Sequence, residues 1–244
     1  MTSAGRRPAF YALTPSGWRD YWTLLHPPYT LWHLSYVVVG ACLAPGVSGT
    51  RLGLVAGAFA LAVGIGAHAL DELNGRPLKT RIPARLLLVL AGLSIGGAAG
   101  IGIYAAFAYS LWLLAFVAVG VLLVVAYNVE LFGGLLHTDL WFALSWGGFP
   151  VLTAYYTVAE RIRWEAILAA LFAVAASLAQ RSLSTAARAL RRRTRAVTGT
   201  IERDDGTTQP ITLEALLRAP ETALRALSGA MIALAAAFLV LRFR

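Results

Sequence analysis

The sequence predicts an all-α integral membrane protein, a single domain (1–244) that forms a bundle of about seven transmembrane helices. Hydrophobic residues make up 58% of the 244 residues and charged residues only 14%, whereas a soluble domain usually carries about 25% charged residues. The charges are also unevenly distributed, because long apolar runs alternate with short charged loops. Both features are typical of a polytopic membrane protein.

The uncharged runs define the predicted spans. The longest run, 86–129, would measure about 66 Å as one helix, which is about twice the hydrocarbon thickness of a bilayer. We therefore expect two spans there, joined by a turn near 105–110. The complete set of predicted spans is 29–44, 52–73, two within 85–129, 140–159, 164–183 and 224–241.

Two polar segments lie outside these spans: an N-terminal segment (1–20) and a long loop between the last two spans (190–222). Within the loop, 201–206 is predicted to be a strand that leads into an Asp-Gly turn. Thr212 is predicted to cap a short helix that ends before Pro220.

The basic residues indicate the orientation. Arg6, Arg7 and Arg19 precede the first span, and further arginines and lysines concentrate in 76–85 and 181–195. Because cytoplasmic loops carry an excess of such residues, we expect the N-terminus and both loops to be cytoplasmic, in the plasma membrane of a bacterium. The net charge of +9 is then explained by these loops and by anionic membrane lipids, and no nucleic-acid partner is expected.

The stretch 68–80, at the inner end of the second span, carries the densest group of polar residues. His68, Asp71 and Glu72 share one helical face because they are spaced i, i+3 and i+4. Two carboxylates at a helix C-terminus need a compensating cation. Arg76 and Lys79 are one source, in a membrane-edge ion-pair cap, and Mg²⁺ bridging to a phosphate is the other.

Several other polar residues are predicted to meet at the same end of the bundle. Each also has a structural interpretation, as a helix cap, a polar contact between helices, or part of the cytoplasmic positive charge. These candidate binding residues are Asn74, Tyr127, Asn128, His137, Asp139, Arg181 and Arg188.

The order of these motifs resembles the UbiA family of membrane-embedded prenyltransferases. Asp71 matches the middle aspartate of the family's first acidic signature, and Arg76-Pro77-Leu78 matches the basic tail that follows it. His68 stands where the family's first aspartate is expected. A Gly-x-x-Pro pattern from Gly147 resembles the family's fifth span, and the resemblance covers most of 21–193. The chain departs from the family at 180–188, because the second acidic signature is absent there.

The resemblance implies transfer of a prenyl group, or of another diphosphate-activated group, from or to a lipid at the cytoplasmic face. Asp71 and Glu72 would bind Mg²⁺ and, with His68, act as catalytic residues. The isoprenoid or polyprenyl diphosphate lipid would be held by its diphosphate through Asn74, Arg76, Lys79, Arg181 and Arg188. The cavity for the tail or the acceptor would include Tyr127, Asn128, His137, Asp139, Trp146 and Tyr155.

The missing acidic signature favours a second hypothesis. The chain would be a catalytically degenerate relative that binds a polyprenyl lipid or acts as a subunit of another enzyme. A small transporter is disfavoured, because the sequence has neither an internal repeat nor charged residues at mid-span.

Overall fold

The computed structural model describes residues 7–244 as a bundle of helices with one small β-hairpin, and Arg6 lies outside this range. Apolar, alanine- and leucine-rich runs form the long helices, and prolines and glycines lie between them. The elements are α1 (Trp18–Leu24), α2 (Pro27–Leu43), α3 (Gly49–Leu73), α4 (Ala84–Ala108), α5 (Leu113–Asn128), α6 (Asp139–Ala143, Leu144–Gly148 and Phe149–Ala159), α7 (Trp164–Arg193), β1 (Thr200–Glu202), β2 (Thr208–Pro210) and α8 (Leu213–Phe243), with a short 3-10 turn at Phe132–Gly134.

Within residues 7–244, four helices, α3, α4, α7 and α8, are long and apolar enough to cross a membrane, which is consistent with an integral membrane protein. Helix α5 is apolar but shorter, with 16 residues. A break at 109–112 separates α4 from α5, next to the turn that the length of the uncharged run predicts.

Side-chain caps begin three of the helices. The hydroxyl oxygens of Ser48, Thr138 and Thr212 each accept a hydrogen bond from a backbone N–H of the first helical turn. Such a cap satisfies a donor that would otherwise have no partner within the helix. The Thr212 cap confirms the sequence prediction for that residue.

The predicted strand and turn at 201–206 form a hairpin, in which β1 pairs antiparallel with β2. The following helix does not end before Pro220, as the sequence predicted, but continues as α8 to Phe243. Proline removes one helical hydrogen bond, yet Leu217, Glu221 and Leu224 are buried on one face and hold this helix against its neighbours. Because α7 also extends to Arg193, the connection between the two helices is shorter than 190–222.

Two helices contain a π-helical segment. In α3 the segment is Ala60–Ala67, immediately before His68, and in α6 it is Leu144–Gly148, which includes Trp146. Such segments are rare and often occur at functional sites, because the wider turn redirects the side chains that follow it. Ala67 and Trp146 belong to the same buried cluster, which also includes Leu123, Val124 and Tyr127 of α5, so both segments border one part of the core.

Polar contacts fix the two ends of the bundle. At one end, Arg51 of α3 donates to the carbonyl oxygens of Thr157 (3.1 Å) and Val158 (3.0 Å) and pairs with Glu160 (2.8 Å). At the other end, which we call the basic end, the C-termini of α3, α5 and α7 lie with the N-terminal segment.

Glycines allow α6 to approach its neighbours closely. A Cβ atom on Gly40 of α2 would lie 2.4 Å from the carbonyl oxygen of Val151. A Cβ atom on Gly147 would lie 2.6 Å from the carbonyl oxygen of Ala173 in α7. These contacts are with backbone, which cannot move aside as a flexible side chain can.

We expect Gly40→Ala to lower the free energy of unfolding by about 1–3 kcal/mol, because α2 and α6 must separate to admit the methyl group. Thermal unfolding of the protein in detergent measures this change in the free energy of unfolding. The matched control is Gly53→Ala in α3, where nothing lies within 4 Å of the added atom. That variant should be neutral or more stable by up to about 1 kcal/mol, and an equal loss in both variants would contradict the packing explanation.

Candidate functional site

A polar cavity of about 90 Å³ lies at the basic end of the bundle. It is formed by the N-terminal segment, the start of α2, and parts of α3, α6 and α7. Its lining includes three histidines, two tyrosines and two arginines, an unusual concentration of polar groups beside an apolar bundle. The lining side chains are Ala9, Tyr11, His26, Tyr29, His33, His68, Phe142, Trp146, Gln180, Ser184, Arg188 and Arg192.

The two arginines of this cavity have no carboxylate within ion-pair distance among residues 7–244. Arg188 donates to the Thr185 hydroxyl oxygen (3.1 Å), and Arg192 donates to the carbonyl oxygen of Pro8 (3.1 Å). Both acceptors are neutral, so the cavity carries net positive charge. Guanidinium groups in this state suit a phosphate or a carboxylate, with which they form charge-assisted hydrogen bonds.

The neighbouring arginines are paired differently. Arg181 forms an ion pair with Asp139 (2.8 Å) and lies over the Phe142 ring (5.1 Å). Arg191 pairs with Glu221 of α8. Among these arginines of α7, Arg188 and Arg192 thus differ from Arg181 and Arg191 in facing the cavity without a carboxylate partner among residues 7–244.

The histidines present acceptor nitrogens to the cavity. Nδ1 of His68 lies 3.1 Å from the carbonyl oxygen of Gly64, and Nδ1 of His33 lies 2.9 Å from that of Trp146. Because a carbonyl oxygen only accepts, Nδ1 must carry the proton in both rings, which leaves Nε2 of a neutral ring as an acceptor. The ring of His26 packs against that of His68, with 4.1 Å between ring centroids, and the buried Nε2 of His26 has no hydrogen-bond partner among the residues that the structure describes.

Asp71 and Glu72 are adjacent in sequence but have different environments. Glu72 is fully buried, and both its oxygens are occupied. They accept hydrogen bonds from the backbone N–H groups of Leu78 (2.9 Å) and Thr80 (2.8 Å) and from the Thr80 hydroxyl (2.8 Å). Glu72 thus holds the loop that follows α3.

That loop has an unusual backbone. Gly75, Arg76 and Lys79 all have positive φ angles, a conformation that costs energy for residues other than glycine. The Arg76 guanidinium donates to the carbonyl oxygens of Thr80 (3.3 Å) and Ile82 (2.6 Å) and forms no ion pair with either carboxylate of α3. Glu72 and Arg76 together therefore stabilise the loop, and Lys79 is exposed on its surface.

Asp71, the other carboxylate at this end of α3, lies near the cavity but is not among its lining side chains. It interacts electrostatically with Arg188, Arg192 and His137. No three His, Cys, Asp or Glu side chains in the described part of the chain meet in an arrangement suited to a metal ion. With Glu72 occupied by the loop, Asp71 is the carboxylate of this pair that could contribute to a Mg²⁺ site, in which one or two carboxylates, water and substrate phosphates share the coordination.

The remaining predicted residues form two groups, with Tyr155 apart from both. Tyr127 and His137 lie beside Asp71: their rings stack at 4.4 Å, and the buried Tyr127 hydroxyl has no hydrogen-bond partner within the described part of the chain. Asn74 and Asn128 link helix ends, since Asn74 donates to the carbonyl oxygen of Asn128 (3.3 Å) and Asn128 donates to that of Val124 (2.7 Å). Tyr155 lies apart from the site, donating to Glu165 (2.6 Å).

A second cavity of about 100 Å³ adjoins the first and is almost entirely apolar. It lies between α3, α4, α5 and α6, and Trp146 lines both cavities. The hydroxyl of Ser145 is buried in its wall without a partner. The bundle thus offers a basic compartment and a hydrocarbon-like compartment that meet at one tryptophan, an arrangement that suits an amphiphile with an anionic headgroup.

Tyr11, Tyr29 and Arg192 line the polar cavity but were not among the predicted site residues. Gln180, Ser184 and Arg188 share a face of α7, and the same four-residue spacing leads on to Arg192. Extending that face by one turn would have identified Arg192. Tyr11 gave no such signal, because it lies in an irregular segment and reaches the cavity only through the fold.

Comparison with protein-family models, curated proteins and solved structures finds no match to this chain. The residues and geometry of the two cavities are therefore the basis for a functional assignment.

We expect Glu72→Ala to lower the free energy of unfolding by about 2–4 kcal/mol, because buried donors of the loop lose a charged acceptor. Asp71→Asn, one residue away, should change it by less than about 1 kcal/mol, since Asp71 holds no backbone group. Thermal unfolding and protease cleavage within 74–83 measure both effects. A larger loss for Asp71→Asn than for Glu72→Ala would contradict this division of roles.

Acid should destabilise the protein through His26, which lies outside the long apolar helices. Burial, followed by the charges of His68, Arg192 and Arg188, holds the pKa of His26 well below its usual range. In the unfolded chain the His26 imidazole binds a proton near pH 6.5, whereas in the folded protein it stays neutral at that pH. The free energy of unfolding should thus fall as pH drops below about 6.5, by at most about 1.4 kcal/mol per pH unit for this group.

The measurement is the unfolding temperature of wild type and His26→Gln between pH 7.5 and 5.5. Other titrating groups are common to both proteins, so their difference isolates His26. The variant should lose less stability over this range, and parallel curves would contradict the assignment.

Proposed function

We propose that the protein is a membrane-embedded, UbiA-like prenyltransferase that binds the diphosphate of an isoprenoid or polyprenyl lipid in the polar cavity and its tail in the apolar cavity. The observation that carries the proposal is the junction of the two cavities at Trp146, with Arg188 and Arg192 unpaired on the polar side. A diphosphate would supply the negatively charged partner that these arginines lack among residues 7–244.

The proposal includes the membrane arrangement. The bundle crosses the membrane about seven times, with the basic end at the cytoplasmic face. The arginines of α7 and the loop after α3 support this orientation, since the opposite end of the bundle is much poorer in arginine and lysine. A diphosphate at the basic end then lies at the depth of the lipid headgroups.

The proposed reaction begins when the allylic carbon–oxygen bond of the donor breaks, and the electron pair stays on the diphosphate oxygen. Arg188 and Arg192 stabilise that leaving group, and their positions before reaction avoid a reorganisation cost. The resulting allylic cation lies against aromatic faces such as those of Tyr29, Phe142 and Trp146. An acceptor forms the new bond to this cation and loses a proton, for which Asp71 is the available base.

A second candidate function is binding without turnover, in which the chain holds a polyprenyl lipid or serves as a subunit of another enzyme. The observation that favours it is the state of Glu72, whose oxygens are occupied by the loop after α3. Only Asp71 is then left of the acidic pair, and α7 brings no carboxylate to the cavity.

The two candidates are separated by incubating purified protein with radiolabelled farnesyl or geranylgeranyl diphosphate and a lipid extract as acceptor, with and without Mg²⁺. Release of diphosphate with a labelled lipid product supports the transferase. Retention of the donor through gel filtration without any product supports the binding protein. If the protein neither retains the donor nor forms a product, both candidates would be contradicted.

We expect Arg188→Gln and Arg192→Gln each to weaken retention of the labelled donor about tenfold or more, because each removes a charge-assisted contact to the diphosphate. Arg193→Gln is the matched control, since this neighbouring arginine is exposed and lies outside the cavity lining. Equilibrium binding of the labelled donor gives the ratio of dissociation constants between each variant and the wild type. An equal loss of affinity in all three variants would indicate only non-specific attraction.

A further inference from the structure

The irregular segment from Pro8 to Leu13 lies across the polar cavity. Ala9 and Tyr11 contribute directly to the cavity lining, and Ala12 is completely buried. The segment precedes α1 and a glycine with positive φ, Gly17. It therefore covers the cavity without belonging to any helix of the bundle.

Aromatic contacts of Phe10 and Tyr11, a cation–π contact and side-chain hydrogen bonds hold this segment in place. The Arg225 guanidinium of α8 lies over the Phe10 ring at 5.0 Å from its centroid. The backbone N–H of Leu13 donates to the Thr23 hydroxyl oxygen (3.0 Å). These two contacts are each worth little, so removing either one should raise the fraction of molecules in which the segment is open.

Arg192 connects the segment to the cavity. Its guanidinium lines the cavity and also donates to the carbonyl oxygen of Pro8 (3.1 Å). A phosphate oxygen is a stronger acceptor for this donor than a neutral carbonyl, so an anionic headgroup would compete with Pro8 for Arg192.

Tyr11 is the residue of the segment best placed to touch such a headgroup. It interacts electrostatically with both Arg188 and Arg192, and its ring packs edge-on against those of His26 (5.2 Å) and Tyr29 (5.5 Å). Burial raises the pKa of Tyr11 well above its usual range, so its hydroxyl keeps its proton and can donate.

We propose that residues 8–13 form a lid over the headgroup cavity, held closed by the Phe10–Arg225 contact, and that Tyr11 on this lid donates a hydrogen bond to the bound anion. The closure itself is independent of the ligand. The role of Tyr11 rests on the proposed function, since it requires that the cavity bind a phosphate or diphosphate.

Closure is tested by the accessibility of a cysteine placed beneath the lid. Ser184→Cys puts a thiol in the cavity wall, and Cys42→Ala removes the native thiol. The rate of labelling by an anionic methanethiosulfonate reagent is followed by mass spectrometry. Phe10→Ala or Arg225→Ala should each raise this rate about two- to fivefold, because each removes the cation–π contact.

The controls separate lid opening from general loosening. Phe10→Tyr keeps the aromatic face and should label at the parent rate, as should Arg218→Ala, which removes an exposed arginine from the same helix. The double variant Phe10→Ala/Arg225→Ala should label no faster than either single variant, since the contact can be lost only once. Equal rates in the lid variants and the controls would overturn the proposal.

The role of Tyr11 is tested with inorganic pyrophosphate and farnesyl diphosphate as ligands that protect the cysteine from labelling. Tyr11→Phe should weaken protection about tenfold, because one hydrogen bond to a charged group is lost. Equal protection in Tyr11→Phe would overturn its assigned contact. Lid-dependent labelling without protection by either compound would leave the lid intact and contradict the proposed function. If either compound protects the cysteine but the lid variants label at the same rate as the controls, the lid alone would be overturned.

Discussion

Two guanidinium groups, those of Arg188 and Arg192, lie in a cavity and have no carboxylate partner among residues 7–244, and the surrounding side chains are arranged around that positive charge. Removing a charge from water costs several kcal/mol unless other groups compensate. Here the Thr185 hydroxyl, the Pro8 carbonyl oxygen and the C-terminal end of the α7 dipole compensate only part of this cost. The imidazole rings of His33 and His68 each bind a carbonyl oxygen through Nδ1 and present an acceptor nitrogen to the cavity. What remains is a basic cavity suited to a negative group.

The loop after α3 illustrates how one helix end serves two purposes. Adjacent residues on a helix point about 100° apart, so Asp71 and Glu72 cannot face the same neighbours. Glu72 turns into the loop and satisfies backbone donors at Leu78 and Thr80, which keeps a strained backbone in place. Asp71 turns toward the arginines of α7. The carboxylate that holds the loop is thus unavailable to a ligand, and the other is free for one.

The π-helical segments connect this end of the bundle to its apolar interior. One precedes His68 and the other contains Trp146, so both redirect side chains at the point where the cavities meet. The glycines in these segments permit the close helix contacts that a wider turn would otherwise prevent. An anionic headgroup and a hydrocarbon chain can therefore occupy neighbouring compartments of one ligand site.

The sequence by itself determined the helices, because a long uncharged run can satisfy its backbone groups only within itself. It located the break between α4 and α5 by length alone, and the β-hairpin and the Thr212 cap by local turn and cap chemistry. It could not determine that α8 continues through Pro220, because that depends on burial of Leu217 and Glu221 against other helices. The partners of the polar groups were also decided only by the tertiary structure. Arg181 reaches Asp139, 42 residues away, and Arg192 reaches Pro8, 184 residues away. Spacing along a helix fixes which residues share a face, but the distance between faces, and hence which charges remain unpaired, is fixed only when the helices pack.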